Sequence, residues 1–221
     1  MRWKWFKSYK TFWWPVFTGI LLLACLVLFG HKADTFFALQ LPHSELLNVV
    51  FSVITWMGDG LFCVLAVLLF ALFVSTGRAL CLASGYIAGS LVVQLGKLVF
   101  FKGTPRPIKW LELNRIVHEL PQGLEPHLWN SFPSGHSASA MALFFFLATQ
   151  VKSSKWRFFL GVMAIVTGYS RIYLYMHFPE DVLAGFIVGA ITMVPLWVIW
   201  SDYLARTKHS WMQRPLLKWR N

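Results

Sequence analysis

The segment that decides the fold is residues 49–75, VVFSVITWMGDGLFCVLAVLLFALFVS, in which Asp59 is the single charged residue. A helix needs about 20 mostly apolar residues to cross the hydrocarbon core of a bilayer. This segment exceeds that length and therefore predicts a transmembrane helix. Outward from it, similar apolar blocks lie at about 12–30, 79–101, 133–151, 158–176 and 180–201. The pattern predicts an all-α polytopic membrane protein, with six transmembrane helices in one bundle and one domain over residues 1–221.

The composition supports the membrane interpretation and excludes other classes. Hydrophobic residues make up 57% of the chain, charged residues only 13%, and the mean hydropathy is +0.58. A soluble domain of this length would not bury so much apolar surface. The net charge of +11 does not indicate a nucleic-acid partner, because the basic residues flank the apolar blocks instead of forming a stripe with aromatic residues. The cysteines (Cys25, Cys63 and Cys81) lie singly within apolar blocks, so neither a disulfide framework nor a zinc site is expected.

The distribution of basic residues predicts the orientation. The apolar run of the first block continues past Cys25, which favours a retained helix over a cleaved signal. Six spans place both termini on one side, together with the loops near Arg78 and between Lys152 and Arg157. That side holds most of the 20 Lys and Arg residues, so the positive-inside rule predicts cytoplasmic termini. The long loop at about 102–132 is then extracytoplasmic.

Polar residues that are unusual for membrane spans gather at the predicted outer helix ends. They lie in KLVFFKGTPRP (97–107), NSFPSGHS (130–137), SR (170–171) and HFPED (177–181). Pro133 and Pro179 suit the first position of a helix, and the free N–H groups there favour an anion. The segments therefore predict a phosphate site formed by Lys97, Arg106, Ser134, Gly135 and Arg171.

Two histidines supply the chemistry at this predicted site. His177 and Asp181 are about one helical turn apart, so the carboxylate is expected to bond one ring nitrogen and leave the other free to attack phosphorus. His136 on the facing helix is expected to protonate the leaving oxygen. Only Glu180 and Asp181 cluster among the acidic residues. A metal site is not expected, because a two-metal phosphatase needs several converging carboxylates.

These segments together resemble the three-part signature of the type-2 phosphatidic acid phosphatase superfamily, which includes vanadium haloperoxidases, and specifically its bacterial membrane-bound branch. The resemblance implies a metal-independent phosphatase without a cofactor, with His177 as nucleophile, Asp181 as its orienting partner and His136 as general acid. It also implies phosphate binding by Lys97, Arg106, Ser134, Gly135 and Arg171. The lysine and arginine of the first part are farther apart than the family usually has them. We favour Lys97 for the lysine, with Lys102 as the alternative.

The resemblance also implies the substrate class. We expect a lipid phosphate or pyrophosphate such as undecaprenyl pyrophosphate, lipid A phosphate, phosphatidylglycerol phosphate or phosphatidic acid, and we favour a multiply phosphorylated one. The expected location is the bacterial cytoplasmic membrane, with an extracytoplasmic site and no obligate protein partner. The alternatives are a lipid phosphotransferase that uses the same phosphohistidine and an anion-binding membrane transporter module. Asp59 is interpreted either as bonded to a site cation or as a plain turn residue.

Overall fold

The computed structural model describes residues 9–116 and 127–217, and these residues are mostly helical, with one isolated β-bridge between Pro105 and Trp129. The middle of the predicted loop, at 117–126, residues 1–8 of the N-terminal tail and residues 218–221 of the C-terminal tail lie outside the described residues. The α-helices of the described residues are α1 (Lys10–Phe29), α2 (Lys32–Ala38), α3 (Glu45–Trp56), α4 (Gly60–Phe73), α5 (Thr76–Leu95), α6 (Pro107–Leu113), α7 (Gly135–Gln150), α8 (Ser154–Tyr173) and α9 (Pro179–Arg206). A π-helical turn, Gly96–Phe100, continues α5, and a 3₁₀ turn, Ser210–Gln213, follows α9.

Each predicted apolar block contains helix, but the second block is broken. Its two helices, α3 and α4, meet at an angle of 51°. The break follows from local chemistry: Asp59 lies between two glycines, and its Oδ1 accepts a hydrogen bond from Leu61 N at 2.8 Å. A carboxylate that caps a helix in this way favours a new helix start over continuation of the previous one. The two helices α2 and α6, which lie between blocks, are additional to the sequence prediction.

Length and composition identify three described helices that are able to cross a membrane: α1, α5 with its π-helical extension, and α9. The α3–α4 pair makes a fourth if it is counted as one span. Helix α7 has 16 residues, of which most are buried against neighbouring helices, and α8 carries Lys155, Arg157 and Arg171. The prediction that all six segments cross the bilayer therefore stays a prediction.

The close approach of α7 and α9 depends on two glycines. A Cβ on Gly185 would lie 2.8 Å from Ser137 Cβ and would also meet the Ser134 carbonyl oxygen, while one on Gly189 would lie 2.8 Å from Met141 Cβ. Small residues four apart allow helix backbones to approach closely in membranes. The first turns of α7 and α9 are consequently held side by side.

The start of α7 differs from the prediction. Ser134 has an extended backbone and caps the helix, with its Oγ accepting a hydrogen bond from Ser137 N at 3.3 Å. The helix therefore begins at Gly135, and the expectation that Pro133 is its first helical residue is wrong, since serine is strongly preferred as an N-cap. Pro179 does occupy the first turn of α9, as predicted.

Candidate active site

The predicted site residues come together where four helical segments end or begin. The π-helical extension of α5 and the C-terminus of α8 meet the N-termini of α7 and α9. Two backbone hydrogen bonds fix this arrangement: Ser134 N donates to Asp181 O at 2.9 Å, and His177 N donates to Arg171 O at 3.1 Å. Residues separated by more than 40 positions in sequence are thereby placed in one polar cluster.

His177 lies in the connection between α8 and α9 and is almost completely buried. Its Nδ1 lies 3.3 Å from Asp181 Oδ2, which also accepts a hydrogen bond from Phe178 N at 2.9 Å. Ser131 Oγ donates a further hydrogen bond to the same oxygen. With three groups around its carboxylate, Asp181 is fixed and in turn orients the His177 ring. Nε2 of His177 has no hydrogen-bond partner within 9–116 and 127–217.

The environment of His177 keeps its imidazole neutral. Burial, and to a smaller extent the positive charges of Arg171, Arg106 and Lys97, lower the pKa of His177 well below its ordinary value of 6.5. The direction follows because removal from water and nearby cations both disfavour the imidazolium form. A neutral ring that is hydrogen-bonded through Nδ1 presents a lone pair on Nε2, which is the form required of a nucleophile.

Two arginines are buried at the site. Arg106 is held by backbone carbonyls, with Nε 2.9 Å from Trp129 O and Nη1 3.2 Å from Met176 O. Arg171 is 5% exposed, and its Nη1 donates to Thr55 Oγ1 at 2.8 Å. The buried Nε of Arg171 has no partner in the described part of the chain. An unpaired buried guanidinium N–H is costly and is suited to an oxyanion such as phosphate, whose oxygens accept charge-assisted hydrogen bonds from the planar guanidinium.

The structure brings Lys97, and not Lys102, to the cluster. Lys97 Nζ donates to Asn130 O at 3.0 Å and lies close enough to Arg106, Arg171 and Asp181 to interact electrostatically with them. Lys102 is exposed. Between Lys97 and Arg106 the chain passes through a π-helical turn and through Gly103, whose φ of 75° lies in the left-handed region. Single π-helical turns occur frequently at functional sites.

His136 lies in the first turn of α7 and, with Gly135, lines a cavity of about 150 Å³. Its side chain is 29% exposed, and Nε2 lies 3.6 Å from Asp59 Oδ2. The remaining lining comes from the α3–α4 break, α5 and α7, with Gly58, Gly60, Tyr86, Ser90, Gln94 and Ser139 among the residues. His136 therefore faces open space on one side of the cluster.

Sequence reasoning missed Ser131 and Thr55, which hold Asp181 and Arg171 in place. Ser131 lies in a segment that was recognised, but its side-chain direction depends on the turn before α7. Thr55 lies in an apolar block, and only the break after α3 shows that it faces the site. No group of three or more His, Cys, Asp or Glu residues suited to a metal occurs in the described ranges, so the expected absence of a metal stays a prediction.

The fold and this cluster define a helical integral membrane protein with a polar, cationic site at one end of its helices. The chain belongs to the PAP2 superfamily, whose family model matches residues 78–205.

Two curated relatives are from Bacillus subtilis. Undecaprenyl-diphosphatase BcrC is 35% identical over 119 residues, covering 53% of this chain and 55% of the relative. Phosphatidylglycerophosphatase B is 34% identical over 95 residues, covering 36% and 47%. The chain thus spans about half the length of the curated relatives it matches. Among solved structures, that of Aquifex aeolicus LpxE is similar with a TM-score of 0.62 and 25% identity, covering 76% of this chain and 94% of that one.

Proposed function

We propose that the chain is a membrane phosphatase that hydrolyses a lipid phosphate or lipid diphosphate through a phosphohistidine formed on His177. The observation that carries the proposal is the pairing of a buried, neutral His177 with a fixed Asp181 beside buried cations. Membership of the PAP2 superfamily and the phosphatase names of the relatives support it.

The first chemical step is proposed as follows. Nε2 of His177 attacks phosphorus, the N–P bond forms and the bond from phosphorus to the leaving oxygen breaks. His136 gives its proton to that oxygen, so the leaving group departs as a neutral alcohol or a protonated phosphate. Lys97, Arg106 and Arg171, with the hydroxyl of Ser134 and the backbone N–H groups at Gly135, stabilise the negative charge on the phosphoryl oxygens.

The second step returns the enzyme to its starting state. Water attacks the phosphohistidine, the N–P bond breaks, and His136, now neutral, accepts a proton from the water. Phosphate is released and both imidazoles regain their original protonation states. Neither step requires a metal ion, because the buried cations occupy the position of a Lewis acid around the phosphoryl group.

The location of the site favours a lipid substrate with its headgroup in the outer leaflet. Six spans with cytoplasmic termini would place the helix ends that carry His177 on the extracytoplasmic side. Trp110 in α6 and Trp129 in the loop before α7, each beside a lysine ammonium, are suited to the membrane interface. Undecaprenyl diphosphate, lipid A, phosphatidylglycerol phosphate and phosphatidic acid are the candidates.

The test is phosphate release from this lipid panel by the protein purified in detergent with EDTA. His177→Ala is compared with His209→Ala, a control that removes an exposed histidine from the C-terminal region. We expect release that survives EDTA in the wild type and in the control, and no release by His177→Ala. Acid-labile labelled phosphate trapped on the wild type and absent from His177→Ala would support the intermediate.

Two results would overturn the proposal: no release from any lipid of the panel, or undiminished release by a folded His177→Ala protein. Transfer of label to a second lipid in place of water would instead indicate the phosphotransferase. Elution as a single species and an unchanged melting temperature would show that the variant is folded.

A further inference from the structure

The break between α3 and α4 lies directly against the site. A Cβ on Gly58 would lie 2.6 Å from the backbone oxygen of His136 and 3.1 Å from Thr167 Cγ2, so no larger residue fits without displacing α7 or α8. On the other side of Asp59, a Cβ on Gly60 would meet the Tyr86 hydroxyl at 2.5 Å. The two glycines thus allow the chain to bring Asp59 close to the first turn of α7.

The Asp59 carboxylate is divided between two contacts. Oδ1 accepts a hydrogen bond from Leu61 N at 2.8 Å and caps α4. Oδ2 lies at ion-pair distance, 3.6 Å, from Nε2 of His136. Because the first contact restricts rotation of the side chain, Oδ2 is directed towards the imidazole. Capping of α4 through Oδ1 does not by itself require Oδ2 to lie beside His136.

The charges around His136 make this contact important for protonation. Lys97, Arg106 and Arg171 face His136 from the segment after α5, the loop and α8, and His177 faces it from the start of α9. Burial disfavours a positive charge on the His136 ring, and these cations disfavour it further. Asp59 is the one carboxylate within ion-pair distance of His136 in the described ranges. Its negative charge therefore counteracts the repulsion between the cations and a proton on Nε2 of His136.

We propose that Asp59 is a positioning residue for His136: it orients the imidazole and stabilises the imidazolium that protonates the leaving group. The inference rests on the proposed function, since His136 needs a proton only if a phosphate ester is cleaved. The same helix break also positions Arg171, through Thr55 at the end of α3. Asp59 also lies close enough to Arg171 to interact with it electrostatically, and it acts on the leaving group through His136.

Two substitutions separate the capping role from the charge. Asn is as good an N-cap as Asp, so Asp59→Asn keeps the bond to Leu61 N and removes the negative charge opposite His136. Asp59→Ala removes both. Ser44→Ala is the matched control, because Ser44 caps α3 with a hydrogen bond from Leu47 N at 3.2 Å and lies at the other end of that helix.

The readout is how the single-turnover rate of phosphohistidine formation depends on the leaving group, because His136 acts as an acid only in that step. Dioctanoyl phosphatidic acid has an alcohol leaving group that needs a proton, whereas p-nitrophenyl phosphate has a leaving group that departs without one. We expect Asp59→Asn to lower this rate on the phosphatidic acid by about 10- to 100-fold, a part of the effect of general acid catalysis. On p-nitrophenyl phosphate the rate should stay within about 3-fold of wild type. His136→Ala should show the same selectivity in this step, and Asp59→Asn added to it should cause no further loss.

The outcomes distinguish this inference from the proposed function. Wild-type rates of phosphohistidine formation on both substrates in Asp59→Asn, an equal loss on both, or full additivity with His136→Ala would each overturn the role of Asp59 while leaving the phosphatase intact. Loss in Asp59→Ala and Ser44→Ala alike, with Asp59→Asn unaffected, would assign Asp59 to capping alone. If the wild type releases phosphate from no lipid of the panel, the proposed function fails and the role of Asp59 fails with it.

Discussion

Replacing Ser131 with alanine should slow the chemical step without weakening substrate binding. The Ser131 hydroxyl is buried and donates one of the hydrogen bonds received by Asp181 Oδ2. A hydrogen bond to a charged group contributes about 1.5–3 kcal/mol, and each 1.36 kcal/mol in the activation barrier changes a rate about tenfold. Because the carboxylate retains the bond from Phe178 N, the full energy is an upper limit. We therefore expect kcat to fall by up to about 150-fold with little change in KM.

The assay is steady-state phosphate release in detergent, together with the rate of phosphohistidine formation in a single turnover. Thr192→Val is the control, since it removes a half-buried hydroxyl that bonds only to backbone carbonyls of its own helix, at 2.8 Å to Val188 O and 3.3 Å to Gly189 O. A folded Ser131→Ala protein that retains wild-type kcat, or one whose KM rises while kcat does not change, would contradict this prediction. Either result would mean that Asp181 does not depend on Ser131 for its orientation of His177.

Three further predictions test the packing, the nucleophile and the lysine. Gly185→Ala forces α9 away from α7 and should lower stability by about 1–3 kcal/mol; its melting temperature should fall further than that of Ile187→Ala, whose side chain is 47% exposed, and equal values would contradict the packing argument. Because the pKa of His177 is lowered, the ring stays neutral as pH falls through 6.5, so kcat/KM should decline only at lower pH; a pH–rate profile with its acid limb at or above 6.5 would contradict this. Lys97→Met should abolish most phosphate release while Lys102→Met retains it, and the reverse pattern would show that Lys102 supplies the site lysine.

Hydropathy predicts the six apolar blocks, each of which contains helix, but not the short helices α2 and α6, because only burial in lipid demands apolar side chains over a whole span. It did not locate the break at Asp59, since a cap and two glycines interrupt a helix without making the segment less apolar. Helix α7 is a case in which contacts with other helices, and not with lipid, decide the sequence. Most of its residues contact other helices and not lipid, so its length and composition are set by packing, and its start depends on Ser134 as a cap.

The site was predictable to the extent that its residues lie at helix ends. The spacing of His177 and Asp181 predicts that they pair, and the structure places Nδ1 of His177 3.3 Å from Oδ2 of Asp181. The site lysine in the segment 97–107 was harder to assign, because the sequence does not show the π-helical turn at Gly96–Phe100 that places Lys97 in the cluster. Ser131, Thr55 and Asp59 contact site residues from positions distant in sequence, and only the tertiary arrangement reveals those contacts. The catalytic and binding roles themselves stay predictions.

The way the cations are held explains how such a site forms before any phosphate arrives. Lys97 and Arg106 donate to main-chain carbonyls of Asn130, Trp129 and Met176, which have no side chains to rearrange and carry only partial charge. The two groups are therefore fixed in place without being neutralised. Arg171 is held at Thr55 and keeps its buried Nε unpaired. In the proposed function a phosphoryl group supplies the missing partner and meets donors already in position, so that little free energy is spent on reorganisation in the transition state.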